Sequence, residues 1–246
     1  MIIERKEYLE KLIAWKDKQL IKIVTGVRRC GKSMLLEIYR NYLKEHGIEE
    51  EQIISINFED LDYEELTDYR KLYKSLKERL IDGKMTYIFL DEIQNVTDFP
   101  KVLDSLYIKK NIDIYVTGSN AYMLSSEIAT MISGRYIQIE MLPLSFKEYM
   151  ESTGSMNDRG IKYAEYLQNS SFPFTLELKN QPDEIRDYLE GIYNTIVVKD
   201  IINRKKITDT MMLKSVLRFV FDNIGNPLSS KKIADTMTSE GRKIDT

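Results

Sequence analysis

Gly26-Val27-Arg28-Arg29-Cys30-Gly31-Lys32-Ser33 matches G-x-x-x-x-G-K-[ST] at every fixed position. Ile21-Lys22-Ile23-Val24-Thr25 stands directly before it and reads as a buried strand. Met34 to Lys44 follows, with Leu35, Ile38, Tyr39 and Tyr42 at helical spacing. Strand, glycine-bounded loop and helix in that order make an anion site. Successive backbone N–H groups line the loop, and the helix N-terminus adds partial positive charge. Gly26 and Gly31 permit backbone angles and close approaches that a Cβ forbids. Lys32 is placed for the β- and γ-phosphates of a nucleotide and Ser33 for Mg²⁺. The candidate nucleotide-binding run is therefore Gly26 to Met34, with Val27, Arg28, Arg29 and Cys30 between the two glycines.

Outward from this loop, short β-branched runs alternate with longer amphipathic ones. Ile53 to Phe58, Tyr87 to Leu90, Ile112 to Val116 and Tyr136 to Ile139 are four further predicted strands. Predicted helices cover Tyr63 to Ile81, the stretch around Val102 to Leu106, and Ala121 to Met131. The alternation predicts a parallel sheet with helices on both faces. After Met141-Leu142-Pro143-Leu144 the pattern changes. Phe146 to Met150, Tyr163 to Leu167, Ile185 to Val198 and Met211 to Ile224 all read as helices. Ser229 or Ser230 can cap a further short helix through Met237. The expected organisation is an α/β core over 1–141 and a helical region over 142–208. A last segment, 209–246, stops at a turn where another helix is expected, which reads as truncation.

Two more strand ends and one helix-to-strand junction carry polar residues suited to the same chemistry. Tyr87-Ile88-Phe89-Leu90-Asp91-Glu92 is an apolar strand closed by two acids. Asp91 is a candidate Mg²⁺ ligand, because ligands of open α/β sheets bind beyond the carboxyl ends of strands. Glu92 is placed to polarise a water attacking the γ-phosphate. Ile114-Tyr115-Val116-Thr117-Gly118-Ser119-Asn120 ends in short hydroxyl and amide groups. Ser119 is the first candidate to orient that water, followed by Thr117 and Asn120; a helix N-cap is the competing role. In Ser133-Gly134-Arg135, Arg135 either reaches a neighbouring subunit's nucleotide as an arginine finger or is a surface cation at a helix end.

Composition excludes several classes. The 246 residues carry 36 Lys plus Arg against 39 Asp plus Glu, a net charge of -3, so no uniformly basic nucleic-acid coat exists. One cysteine, Cys30, and one histidine, His46, leave no disulfide framework and no Cys/His zinc site. No apolar run approaches the ~20 residues of a membrane helix, and Met1 to Glu7 lacks a signal-peptide core. A soluble, cytoplasmic protein without a membrane partner is expected.

The order of these motifs resembles AAA-type ATPases among the P-loop NTPases. Gly26 to Leu36, Leu90-Asp91-Glu92-Ile93-Gln94, Thr117-Gly118-Ser119 and Ser133 to Tyr149 are similar to one group in particular. These are bacterial and archaeal ATPases, assigned from sequence, that carry an uncharacterised nuclease-like C-terminal domain. Leu142-Pro143-Leu144-Ser145-Phe146 is the most distinctive shared tag, with no catalytic reading of its own. The resemblance implies a five-stranded sheet of order 5-1-4-3-2, a helical lid and a winged-helix segment, with ATP and Mg²⁺ bound. It implies an adenine pocket near the N-terminus, for which Ile3, Arg5, Tyr8 and Leu9 are candidates; an amphipathic helix from Lys6 to Trp15 is the alternative. Lys199 and Arg204 are candidates for a lid cation on the γ-phosphate. Two departures stand out: Asn169-Ser170-Ser171-Phe172-Pro173 replaces a glycine-rich segment, and the C-terminal domain is missing. The expected function is Mg²⁺-dependent ATP hydrolysis coupled to an oligomer or a protein partner. The rivals are a slow nucleotide-gated switch and a DNA-associated adaptor, which the acidic charge and partial winged helix disfavour. A small-molecule kinase suits the Asp-Glu pair less well.

Overall fold

The five apolar runs lie side by side in one parallel sheet. The computed structural model describes residues 3–118, 132, 134–154, 158–178, 181–203, 207–239 and 241. Strands β1 (Ile21–Gly26), β2 (Ile53–Asn57), β3 (Thr86–Asp91), β4 (Ile112–Gly118) and β5 (Tyr136–Met141) pair in the order β2-β3-β4-β1-β5. That is the expected order 5-1-4-3-2 read from the other edge. All four pairings are parallel, with Val24 opposite both Thr117 and Ile139, and Leu90 opposite Val116 and Ile56. Every residue of β1 and β3 is buried, as expected for strands covered on both faces.

Alternating side chains feed two cores. On one face Val24, Phe89 and Tyr115 meet Leu12 of helix α1 (Lys6–Ala14) and Leu35, Leu36, Tyr39 and Leu43 of α2 (Lys32–Glu45). On the other, Ile23, Ile56, Ile88, Leu90 and Val116 meet Leu72 and Leu76 of α3 (Tyr69–Glu78) and Val102, Leu103 and Leu106 of α4 (Phe99–Tyr107). The expected single helix from Tyr63 to Ile81 is divided. Leu61–Thr67 forms a 3₁₀ helix, and α3 starts after Asp68, whose carboxylate accepts from the Arg70 and Lys71 N–H groups. A capped N-terminus there is more favourable than a continuous helix with an interior aspartate. The expected helix from Ala121 to Met131 lies outside the described residues.

Beyond β5 the described elements are helical: α5 (Phe146–Thr153), α6 (Arg159–Asn169), α7 (Pro182–Thr195), α8 (Thr210–Asp222) and α9 (Ser230–Ser239). The chain divides into two compact units, Met1–Asp187 and Tyr188–Thr246. In the first, a small cluster of Leu144, Tyr149 and Leu176 packs with Ile3, Phe146 and Tyr166. In the second, α8 contacts α9, and Ser229 rather than Ser230 supplies the cap, accepting from the Lys232 N–H at 3.1 Å. Among the described residues no helix is long and apolar enough to cross a membrane.

One feature of the core was illegible as an apolar pattern. Lys22 and Asp113 sit inside strands and are fully buried, paired through Nζ and Oδ1. Lys22 also donates to the Lys18 carbonyl at 2.6 Å. The second Asp113 oxygen accepts from Tyr115 Oη and from the Asp17 N–H, at 2.7 and 2.8 Å. Tyr39 Oη lies 2.9 Å from Tyr115 Oη, and Tyr87 Oη donates to Asp17 at 2.7 Å. Burial, then the Asp113 charge, raises the Tyr115 phenol well above its ordinary value, so it stays a donor. Burial pulls the Lys22 ammonium down and pushes the Asp113 carboxyl up, each opposed by the charge of the other. Removing one partner strands a buried charge. Asp113→Ala is therefore expected to lower unfolding free energy by about 3–5 kcal/mol, whereas the double change Lys22→Met with Asp113→Leu recovers most of it. Urea unfolding of the three proteins decides the point, and a double variant as unstable as the single would count against the pairing.

Candidate functional site

The phosphate loop joins β1 to α2 and is shaped by its backbone. Gly26 is opposite Met141 in the β1–β5 ladder, and a Cβ on Gly26 would stand 2.2 Å from the Met141 carbonyl oxygen. No side chain fits there. Gly31 has φ +102 and Arg29 φ 66, so the loop turns twice through left-handed geometry before α2 begins. Gly31 is the α2 N-cap, with no side-chain cap bond and no acidic residue in the first turn. The leading N–H groups of α2 thus remain as donors for an anion.

Lys32 is the first residue of α2, and its side chain turns back into the loop. Its Nζ lies 3.2 Å from the Gly26 carbonyl oxygen and 3.3 Å from that of Val27. It stands 3.6 Å from Glu92 Oε1, and both side chains are nearly buried. Ser33 and Met34 are exposed on the first turn, as are Val27 and Arg29 in the loop, while Cys30 is buried. Cys30 Sγ would lie 2.9 Å from a Cβ on Gly26, and burial raises its thiol pKa. Cys30 is thus a filler beneath the loop. Arg28 lies 3.8 Å from the Glu59 carboxylate.

Parallel pairing brings the other motif ends to the same edge of the sheet. Thr25 is opposite Gly118, and β4 separates β1 from β3. Asp91 and Glu92 each retain 8% of their exposure. Thr117 grips both acids: its Oγ1 donates to Asp91 Oδ1 and accepts from the Glu92 N–H at 2.9 Å. Glu92 has left-handed backbone, φ 54 and ψ 47, a strained geometry for a non-glycine residue. Gln94 donates from Nε2 to Glu92 Oε2. Of the three candidates, Thr117 on β4 is in contact with the acids; Ser119 and Asn120 lie outside the described residues. Gln94 was not singled out by sequence, although it stands in the quoted Leu90 to Gln94 run.

Arg135 is elsewhere. The Ile21 N–H donates to its carbonyl at 2.8 Å, at the start of β1, whereas the loop follows the end of that strand. Five residue steps, about 17 Å, lie between them. Arg135 pairs with Asp104 and lies over the Tyr107 ring at 5.3 Å. Of the N-terminal candidates, Ile3 packs with Leu144 and Tyr149, Tyr8 and Leu9 pack on the α2 face, and Arg5 is buried. An amphipathic helix is present over Lys6–Ala14. Arg204 lies outside the described residues, as does the Lys199 side chain.

This donor set suits a nucleotide phosphate with Mg²⁺. The loop offers a cradle that a Cβ at Gly26 would fill, a lysine and an uncapped helix end. Ser33 and Asp91 offer hard oxygens, which suits a cation that takes few protein ligands and completes its shell with phosphate and water. No cluster of three or more His, Cys, Asp or Glu side chains exists among the described residues, so no all-protein metal cage competes.

Residues 18–150 match the AAA domain family. An uncharacterized protein of Haemophilus influenzae is 40% identical over 245 residues, covering 97% of this chain and 60% of that protein. An uncharacterized protein of Methanocaldococcus jannaschii is 30% identical over 243 residues, 91% of this chain and 51% of that protein. The chain thus spans between half and two thirds of the length of these curated relatives. The Walker-type ATPase of Pyrococcus abyssi has a similar fold, with TM-score 0.63 at 17% identity, over 99% of this chain and 86% of that one. Family match, strand order and loop geometry agree, and the chain belongs to the AAA domain family, with the fold of an AAA-type P-loop ATPase.

Proposed function

We propose that this chain binds ATP with Mg²⁺ and hydrolyses it, passing its nucleotide state to an oligomer or a protein partner. The observation that carries the reading is the meeting of Lys32, Asp91, Glu92 and Thr117 at one sheet edge. The loop from Gly26 to Met34 receives the phosphates, with backbone N–H groups and Lys32 as donors. Ser33 and Asp91 would hold Mg²⁺, which neutralises charge between the β- and γ-phosphates when bound. Lys32 then exchanges its loop carbonyls for phosphate oxygens. Glu92 accepts a proton from the attacking water, and Thr117 keeps the two acids in register; Ser119 is a second candidate for orienting that water. Residues 142–208 are read as a helical lid, 209–246 as part of a winged helix, and the setting as cytoplasmic.

Three contacts favour slow basal turnover, the switch-like form of the same reading. Glu92 is engaged by Gln94 and faces Lys32, and Arg135 is engaged by Asp104. Arg135 would act on a neighbour's nucleotide after leaving Asp104. Phosphate release per chain is therefore expected to rise with protein concentration, and Arg135→Ala to flatten that rise while ATP affinity stays within about threefold, since no contact of Arg135 reaches its own loop. A rise that survives in Arg135→Ala would remove the arginine from the site.

A further inference from the structure

Arg5 makes a junction that neither the sequence pattern nor the reaction above uses. It lies 143 positions from Glu148 and 25 from Cys30, yet its guanidinium touches both. Nε donates to Glu148 Oε1 at 2.7 Å. Nη1 donates to the Cys30 carbonyl at 2.9 Å, and Nη2 to the Leu142 and Pro143 carbonyls at 2.6 and 3.5 Å. The side chain is 3% exposed, and its guanidinium lies 4.8 Å from the Tyr8 ring centroid. Arg5 itself has left-handed backbone, φ 47, a strained geometry for a non-glycine residue. Glu148 is equally committed. Its other oxygen accepts from the Ser145 N–H and Oγ, closing the capping box that starts α5. The distinctive tag Leu142 to Phe146 is thus the acceptor side of this junction.

We infer that Arg5 is a positioning residue for the phosphate loop, tying its shape to the segment that opens the helical region. The inference rests on the nucleotide reading of that loop. The physical reason is the rigidity of the peptide plane. The Cys30–Gly31 peptide is trans, so its carbonyl and its N–H point in opposite directions. Holding the Cys30 oxygen on Arg5 turns the Gly31 N–H away from Arg5, which keeps it free to serve as a donor to the proposed phosphate. The same fork fixes Leu142 and Pro143, so a shift of the tag is felt as a rotation of that peptide. A lysine has the charge but no rigid fork and cannot hold three carbonyls and a carboxylate at once.

The test compares wild type with Arg5→Lys and Glu148→Gln, which keeps the capping geometry. Three readings are taken: ATP affinity, turnover at saturating ATP, and amide hydrogen exchange. Arg5→Lys is expected to weaken ATP affinity by about tenfold, the scale of one lost charge-assisted bond. Turnover at saturation should stay within twofold, and faster exchange should be confined to residues 27–33 and to 142–148, the two segments that the Arg5 fork holds. Glu148→Gln should show the same pattern at a few-fold size, and it carries the test if Arg5→Lys does not fold. Unchanged affinity in the variants, or faster exchange spread over the whole sheet with unchanged affinity, would overturn the positioning role. Failure of wild type itself to bind ATP would instead sink the nucleotide reading.

Discussion

Replacing Glu92 with glutamine is expected to leave ATP bound and to slow phosphate release by about 10²–10⁴-fold, the range of a lost general base. The substitution is nearly isosteric. The amide oxygen still accepts from Gln94, and the bond to Thr117 Oγ1 uses only the backbone N–H of residue 92. What is lost is the carboxylate that can take a proton. Glu92 also stands 3.6 Å from Lys32 Nζ, so neutralising it frees the lysine for phosphate. Affinity for ATP is therefore expected to hold or to tighten. Equal turnover in Glu92→Gln and wild type, measured as phosphate release at saturating ATP, would refute the assignment of the base.

Lys32→Ala is the complementary case, with its effect in binding. Lys32 Nζ lies 3.2 and 3.3 Å from the Gly26 and Val27 carbonyl oxygens, and in the proposed function it exchanges these for the two terminal phosphates. Two charge-assisted hydrogen bonds are worth at least about 3 kcal/mol together, a factor of about 150 in affinity. The change also leaves Glu92 without its nearby cation, so two acids face the incoming phosphates with one fewer positive charge. Equilibrium titration with ATP measures the loss. A decrease of less than about threefold would mean that Lys32 does not meet the phosphates, since one such bond alone exceeds that.

Much of the sheet was legible because parallel strands buried on both faces leave a simple trace. Ile53, Ile54 and Ile56, or Ile88, Phe89 and Leu90, can only be interior, and the alternation with helices implies the parallel arrangement. The loop was legible because its glycines answer steric demands within the loop and at its edge. Other features depend on partners remote in sequence. Lys22 and Asp113 read as breaks in apolar strands, and only the fold brings them together across β1 and β4. Arg5 stands in sequence only as an adenine-pocket candidate implied by resemblance, and its carbonyl acceptors follow β1 and β5. Asp68 is local, yet it falls inside the expected helix from Tyr63 to Ile81, where apolar spacing does not distinguish a cap from one more polar position.

The site shows the same division. Asp91 and Glu92 were readable from one strand end. The role of Thr117 as the group that holds both requires β4 to lie beside β3, which the strand order supplies. Gln94 bonds to a residue only two positions away, but a glutamine after an acid has many ordinary uses and carries no signal by itself.

The most direct measurement is ATP binding and phosphate release by this chain with Mg²⁺ and with the cation chelated, in parallel with Lys32→Ala and Glu92→Gln. The expected result is saturable ATP binding, phosphate release only with Mg²⁺, binding lost in the lysine variant and release alone lost in the glutamate variant. No saturable binding of ATP to wild type in the presence of Mg²⁺ would contradict the assignment of the loop from Gly26 to Met34 as its site.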